Sequence, residues 1–139
     1  MFLKWTRHAE PEQAKQENVE TVVVDPAEAE RIKDLEAKVA AMNRSQGVIE
    51  FNLDGTVILA NENFLSVLGY TAEEVAGRHH RMFVDREYAT SDDYRNFWDR
   101  LNRGEFVAEK FRRIAKSGKD IWIQASYNPM FDANGKVYK

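Results

Sequence analysis

Residues 120–129 read D-I-W-I-Q-A-S-Y-N-P, and they alternate. Ile121, Ile123, Ala125 and Tyr127 point one way; Trp122, Gln124, Ser126 and Asn128 point the other. Period two among aromatic and β-branched residues predicts a strand. The turn signal K-S-G-K at 116–119 precedes it, and Pro129, which has no N–H to give to a ladder, closes it. Large apolar groups stand on both faces. Each face therefore needs cover, one from the core of the domain and the other from something outside it.

Local signals on either side give the rest of the order. Residues 48–53 and 56–60 predict two strands joined by Asp54-Gly55, a hairpin turn pair. Asn61 caps a short helix bearing Phe64, Leu65 and Leu68, which Gly69 ends. Thr71 and Glu74 form a capping box for another, stopped at Gly77. Residues 78–84 read as either a helical turn or loop. Thr90 or Ser91 caps a longer helix with Tyr94, Phe97, Trp98 and Leu101 on one face, closed by Asn102-Arg-Gly104. Residues 106–115 predict a strand that precedes the alternating one. A turn at 132–135 then leads to Val137-Tyr-Lys139, the start of a fifth strand cut short. Strands at both ends with helices between them predict an α+β domain, its antiparallel sheet carrying helices on one face.

The domain takes up residues 46–139. A leader over 1–24, rich in Glu, Gln and Lys, reads as flexible, with a short β-prone run at 21–24 and a solvated His8. Residues 25–45 predict an amphipathic helix capped by Asp25, with Pro26 in its first turn. Ile32, Leu35, Val39 and Met42 step along it as an a/d stripe. Two heptads are too short to stand alone, so the stripe needs a partner: its own domain, or a second protomer in a dimerising or signal-carrying helix.

Composition excludes several chemistries. There is no cysteine, hence no disulfide, thiolate metal site, covalent c-type haem, flavin–cysteinyl adduct or cysteine nucleophile. A net charge of −3 gives no electrostatic case for nucleic acid or an anionic membrane. No apolar run approaches the length of a membrane span, so the expected location is cytoplasmic.

The pieces F-N-L-D-G-T (51–56), A-N-E-N-F (60–64), L-G-Y-T-A-E-E (68–74), G-R-H-H (77–80), R-I-A-K-S-G-K-D-I-W (113–122) and N-P-M-F-D-A-N-G (128–135), in this order and spacing, resemble a PAS domain over residues 45–139. G-R-H-H-R-M-F-V-D (77–85), Y-R-N-F-W (94–98) and W-I-Q-A-S-Y-N-P (122–129) are more particular. They resemble the PAS domains of soluble bacterial methyl-accepting chemotaxis receptors, including those linked to biofilm dispersal, and of the flavin-binding aerotaxis receptor. The resemblance implies a five-stranded antiparallel sheet in the order 2-1-5-4-3, its helices enclosing a ligand cavity. Ile123 and Tyr127 would face that cavity. Trp122 and Gln124 would face out, offering a dock for the Ile32/Leu35/Val39/Met42 stripe and a path for signals.

The cofactor candidates are haem b and FAD. Adjacent His79 and His80 diverge by about 100° on a helical turn, so only one could meet a given metal. In the resembling haem-binding domains an axial histidine comes from this segment; otherwise both are structural or surface histidines. The aerotaxis resemblance sets Trp98 and residues 79–82 near an isoalloxazine, with Asn61 able to reach its edge; otherwise Trp98 is core. Asp92-Asp93 and Glu73-Glu74 sit at helix N-termini, where capping accounts for them. Arg112, Arg113, Lys116 and Lys119 read as a solvated basic turn or a partner patch. No catalytic motif occurs, so the chain is not expected to be an enzyme. It is expected to be a fragment: the sensory module of a chemotaxis-type receptor, homodimeric, with its signalling domain elsewhere. The alternatives are a cofactor-free interaction domain, or the sensor of a histidine kinase or cyclic-dinucleotide enzyme.

Overall fold

The computed structural model describes residues 23–139, and the expectations for 1–22, His8 among them, lie outside it. Helix α1 (Pro26–Ser45) starts where the Asp25 carboxylate accepts the Ala27 N–H. Strands β1 (Ile49–Phe51) and β2 (Val57–Ala60) follow, shorter than the runs of alternation. They pair antiparallel with a register shift between Glu50 and Phe51. Helices α2 (Glu62–Leu68) and α3 (Ala72–Val75) are capped by Asn61 and by the Thr71/Glu74 box. The ambiguous segment is a 3-10 turn (His80–Phe83) capped by His79. A one-turn helix that the sequence reading did not single out, α4 (Arg86–Ala89), begins at Asp85. Helix α5 (Asp92–Asn102) is capped by Ser91. Strands β3 (Val107–Ile114) and β4 (Asp120–Tyr127) form an eight-pair antiparallel hairpin.

The five-stranded sheet is not formed among the described residues. There are two two-stranded sheets, β1–β2 and β3–β4. Residues 137–139 fold back on the chain: Val137 bridges Phe131, the Tyr138 N–H donates to the Met130 carbonyl, and the Met130 N–H donates to the Lys139 carbonyl. Three residues are too few to make a ladder joining the two sheets.

Two apolar clusters hold the domain together. Val57, Leu68, Val75 and Phe83 form one, with Phe51, Phe64, Tyr70 and Ile121 against it. Phe97, Leu101, Val107 and Phe111 form the other, with Trp98, Ile123 and Tyr127 against it. Each buried side chain of this size stabilises the fold by about 1.5–3 kcal/mol before ordering costs. Strand β4 alternates as its sequence does, half-buried at 121, 123, 125 and 127 and exposed between them. Trp122 is 69% exposed.

Helix α1 does not lie on that outer face in this chain. The apolar stripe of α1 remains open, Ile32, Leu35, Val39 and Met42 being 44–60% exposed. The C-terminal end of α1 is pinned instead to the start of α2: Asn61 Nδ2 donates to Asn43 Oδ1 and to the Gln46 carbonyl, and Asn63 Nδ2 donates to the Asn43 carbonyl. Amide side chains at one end set where the helix leaves the domain, and the apolar stripe plays no part in that.

The turn between β1 and β2 positions the site. Asp54 Oδ1 accepts the Thr56 N–H and hydroxyl, which holds the turn and lowers the Asp54 pKa. Gly55 has φ +85, and a Cβ there would lie 2.9 Å from His79 Nε2 and 3.1 Å from Trp98 Cζ2. Gly55→Ala combines left-handed strain with that clash. It is expected to destabilise the domain by about 2 kcal/mol or more, measured as a lower urea midpoint with unchanged slope.

Candidate functional site

The site is built around His80, which is 1% exposed. Its Nδ1 is 3.0 Å from the Tyr94 hydroxyl of α5, and its Nε2 is 3.0 Å from the Tyr127 hydroxyl of β4. Tyr127 Oη also accepts from Arg113 Nη2 at 2.8 Å. One imidazole thus ties the 3-10 turn to α5, β4 and β3. Phe51, Trp98, Phe97 and Phe83 stand round it, centroids 5.3–6.1 Å away. Burial, then the nearby Arg113 and His79, hold the pKa of His80 well below the ordinary 6.5. At neutral pH His80 is uncharged, with one N–H and one lone pair.

His79 is half-buried, and its Nδ1 accepts the Arg81 N–H to cap the 3-10 turn. Desolvation, with Arg81 beside it, lowers its pKa too. Asn61 is fully engaged: Oδ1 accepts from Val48 and Phe64, while Nδ2 donates to Asn43 and Gln46. An amide side chain offers four hydrogen bonds, and Asn61 makes four. The role expected for it at a cofactor edge gives way to joining α1, β1 and α2. Ile123 and Tyr127 face the interior beside Trp98, whereas Trp122 and Gln124 lie on the opposite, exposed face.

These residues do not fit a haem. Both nitrogens of His80 are taken by tyrosine hydroxyls inside a shell of rings, and the nitrogen of His79 that caps the turn is taken by a backbone N–H. In this arrangement His80 has no nitrogen free to meet an iron, and His79 has its Nδ1 engaged at the turn. Among the described residues no cluster of three or more His, Cys, Asp or Glu could hold a metal ion. An aromatic interior with an unpaired donor, Trp98 Nε1, suits a planar molecule bearing acceptor atoms better.

Arg113 is the residue that the sequence reading misplaced. It is not part of a solvated basic turn: it is 3% exposed, and its guanidinium lies over the Phe111 ring at 4.7 Å. The signal was available in the strand period, because 107, 111 and 113 share the inner face of β3. Its neighbours are exposed, as expected. Arg112 pairs with Asp85 and Asp120, and Lys116 pairs with Glu74.

The comparisons agree with this architecture. Residues 57–139 match the family model described as the PAS fold. The chain belongs to the PAS family. The PAS domain here is 46% identical over 106 residues to the biofilm dispersion protein BdlA of Pseudomonas aeruginosa, covering 76% of this chain and 25% of that protein. It is 29% identical over 86 residues to the aerotaxis receptor of Escherichia coli, covering 62% of this chain and 17% of that one. The chain thus spans a quarter or less of these relatives. Among solved structures, a light-oxygen-voltage domain studied with a flavin analogue matches at TM-score 0.61 and 25% identity, over 73% of this chain and 78% of that one. A PAS domain from Colwellia psychrerythraea matches at TM-score 0.65 and 20% identity, over 76% and 89%. No helix among the described residues is long and apolar enough to cross a membrane.

The depressed His80 pKa gives a pH dependence of known sign. Above the unfolded value of 6.5 both states are neutral and stability is flat. Below it the unfolded chain binds a proton that the native state refuses, so stability falls as pH drops. The slope from this group approaches about 1.4 kcal/mol per pH unit. Urea unfolding between pH 7 and about pH 5 is expected to show this loss, and His80→Gln to reduce it.

Proposed function

We propose that this PAS domain is the sensory module of a chemotaxis-type receptor, holding a small ligand or cofactor among the aromatic rings between α5 and β4. The observation that carries this reading is the arrangement of β4. Tyr127 on its inner face is bonded to the buried His80, and Trp122 and Gln124 on its outer face are exposed. A ligand that displaces or reorders the His80–Tyr127 contact acts on a strand whose other side is open to a partner. Such a change biases packing outside the domain. A second protomer, bringing its own α1 stripe, is the partner we favour for that outer face. The signalling region that would read the change lies outside this chain, and the domain itself carries out no catalysis.

Flavin is the cofactor that the light-oxygen-voltage domain studied with a flavin analogue supports. Trp98 and the rings around His80 would flank its ring system, which would supply redox sensitivity when bound. The expected spectrum after supply of FAD during expression is a flavin band that bleaches with dithionite. After supply of haem, no His80-dependent Soret band is expected. A Soret band lost in His80→Ala would reverse the assignment. A cofactor-free interaction domain is the second reading, favoured by the open stripe of α1.

The dimer has its own test. Leu35→Glu with Val39→Glu is expected to halve the mass seen by light scattering while the far-UV spectrum is kept. An unchanged mass would remove α1 from the interface.

A further inference from the structure

The 3-10 turn that carries His80 is capped by a lone pair of its neighbour. His79 Nδ1 accepts the Arg81 N–H at 3.1 Å. A ring nitrogen that accepts carries no hydrogen, so neutral His79 holds its proton on Nε2. The helices around it are capped by oxygen: Asp25, Asn61, Thr71, Asp85 and Ser91 each accept a backbone N–H. Amide and hydroxyl oxygens accept at any ordinary pH, and carboxylates lose that ability only in stronger acid. Among these caps of the described residues, the one at His79 is the one that a proton near neutrality removes. Protonated Nδ1 turns its hydrogen on the Arg81 N–H, and two donors face each other.

The ring has no second way to serve as a cap. Turning it over would set a carbon against the Arg81 N–H. A Cβ on Gly55 would lie 2.9 Å from His79 Nε2 and 3.0 Å from Cε1, so the imidazole lies directly against the glycine. Tyr94 and Trp98 of α5 stand near it, centroids 6.5 and 6.3 Å away. The backbone is held as well: Thr56 bridges His79, and the His80 N–H donates to the Gly55 carbonyl at 2.8 Å.

The charges facing the ring set the sign of the effect. Burial, then Arg81, lowers the His79 pKa, and they outweigh the Asp54 backbone and carboxylate, which favour the charged ring. Asp54 Oδ1 is itself engaged by Thr56. His80 and Tyr94, within hydrogen-bond distance of each other, are both neutral in this range, and Arg78 is exposed. A turn that opens returns its histidine to an ordinary pKa near 6.5. Opening therefore takes up a proton and becomes easier as pH falls below that value.

We propose that His79 is a proton-sensitive latch on the 3-10 turn. Protonation breaks its cap on Arg81 and releases the turn, which withdraws His80 from Tyr94 and Tyr127. The turn carries His80 and Phe83, each 1% exposed, so its release opens the interior where the two apolar clusters meet. His79 is half-buried, and a proton reaches it without unfolding the domain. The latch goes beyond the reading of the domain as a ligand sensor and needs no ligand: acid acts on the His80–Tyr127 contact from the surface.

Nuclear magnetic resonance of the 139-residue chain between about pH 7.5 and 5.5 tests it. At the upper end the His79 ring is expected as the Nε2–H tautomer. The Arg81 amide and the His80 ring signals are expected to shift with the same midpoint as the His79 imidazole. An Nδ1–H tautomer, or an Arg81 amide or His80 ring that stays still while His79 titrates, overturns the proposal. Hydrogen exchange adds a count of protons. Protection of the Met82 and Val84 amides, which donate back within the turn, is expected to fall by up to about tenfold per pH unit from His79 alone. His79→Asn caps without titrating, so it is expected to keep the neutral-pH protection within about threefold and to lose that slope. Whatever His80 contributes remains in both proteins, and equal slopes overturn the latch. Should His79→Asn fold poorly, the wild-type tautomer and midpoints still decide the result.

Discussion

The hydrogen bonds of His80 hold together parts of the chain that lie far apart in sequence. The β1–β2 and β3–β4 sheets are not paired with each other. The helices between them are mostly one or two turns long, too short to be stable alone. A neutral imidazole with one hydroxyl on each nitrogen joins the 3-10 turn to α5 and β4, and through Tyr127 it reaches β3. Both apolar clusters meet at this point, since Phe83 belongs to one, Phe97 to the other, and His80 contacts both rings. The position needs a side chain that is polar at two ends and uncharged between them, and burial keeps the imidazole in that form.

Under the proposed function, the same hub is the route by which the interior and the exterior of the domain would be coupled. Strand β4 offers Tyr127 to His80 and Trp122 to the outside. Because side chains alternate along a strand, a shift that moves one face moves the other. Helix α1 stands apart from this face in the single chain, fixed by amides at its end and open along its stripe. Two apolar surfaces left uncovered by one chain are what association of two chains would bury.

Haem and flavin make different demands on this interior. Iron needs a nitrogen lone pair aimed into space, and the histidines have committed theirs to hydroxyls and a backbone amide. An acceptor-rich planar ring needs donors, and α5 offers one buried and unpaired, Trp98 Nε1. The histidines that look most like ligands in the sequence hold structural hydrogen bonds here, while a tryptophan that looks like core carries the unpaired donor.

Periodicity and capping residues by themselves determined the element order, the inner and outer faces of β4, the caps at Asn61, Thr71 and Ser91, and the Asp54-Gly55 turn. These depend on neighbours a few residues apart, and local sterics and hydrogen bonding decide them. Tertiary structure alone decided the roles of His79, His80, Asn61 and Arg113, and left α1 off the outer face. Each of those depends on partners far along the chain: His80 with Tyr127 across 47 residues, Asn61 with Asn43 across 18. A histidine is a ligand, a cap or a hub according to what meets its two nitrogens. An arginine on a strand is surface or core according to which face its register turns inward, and both are fixed only when the sheet and helices close together.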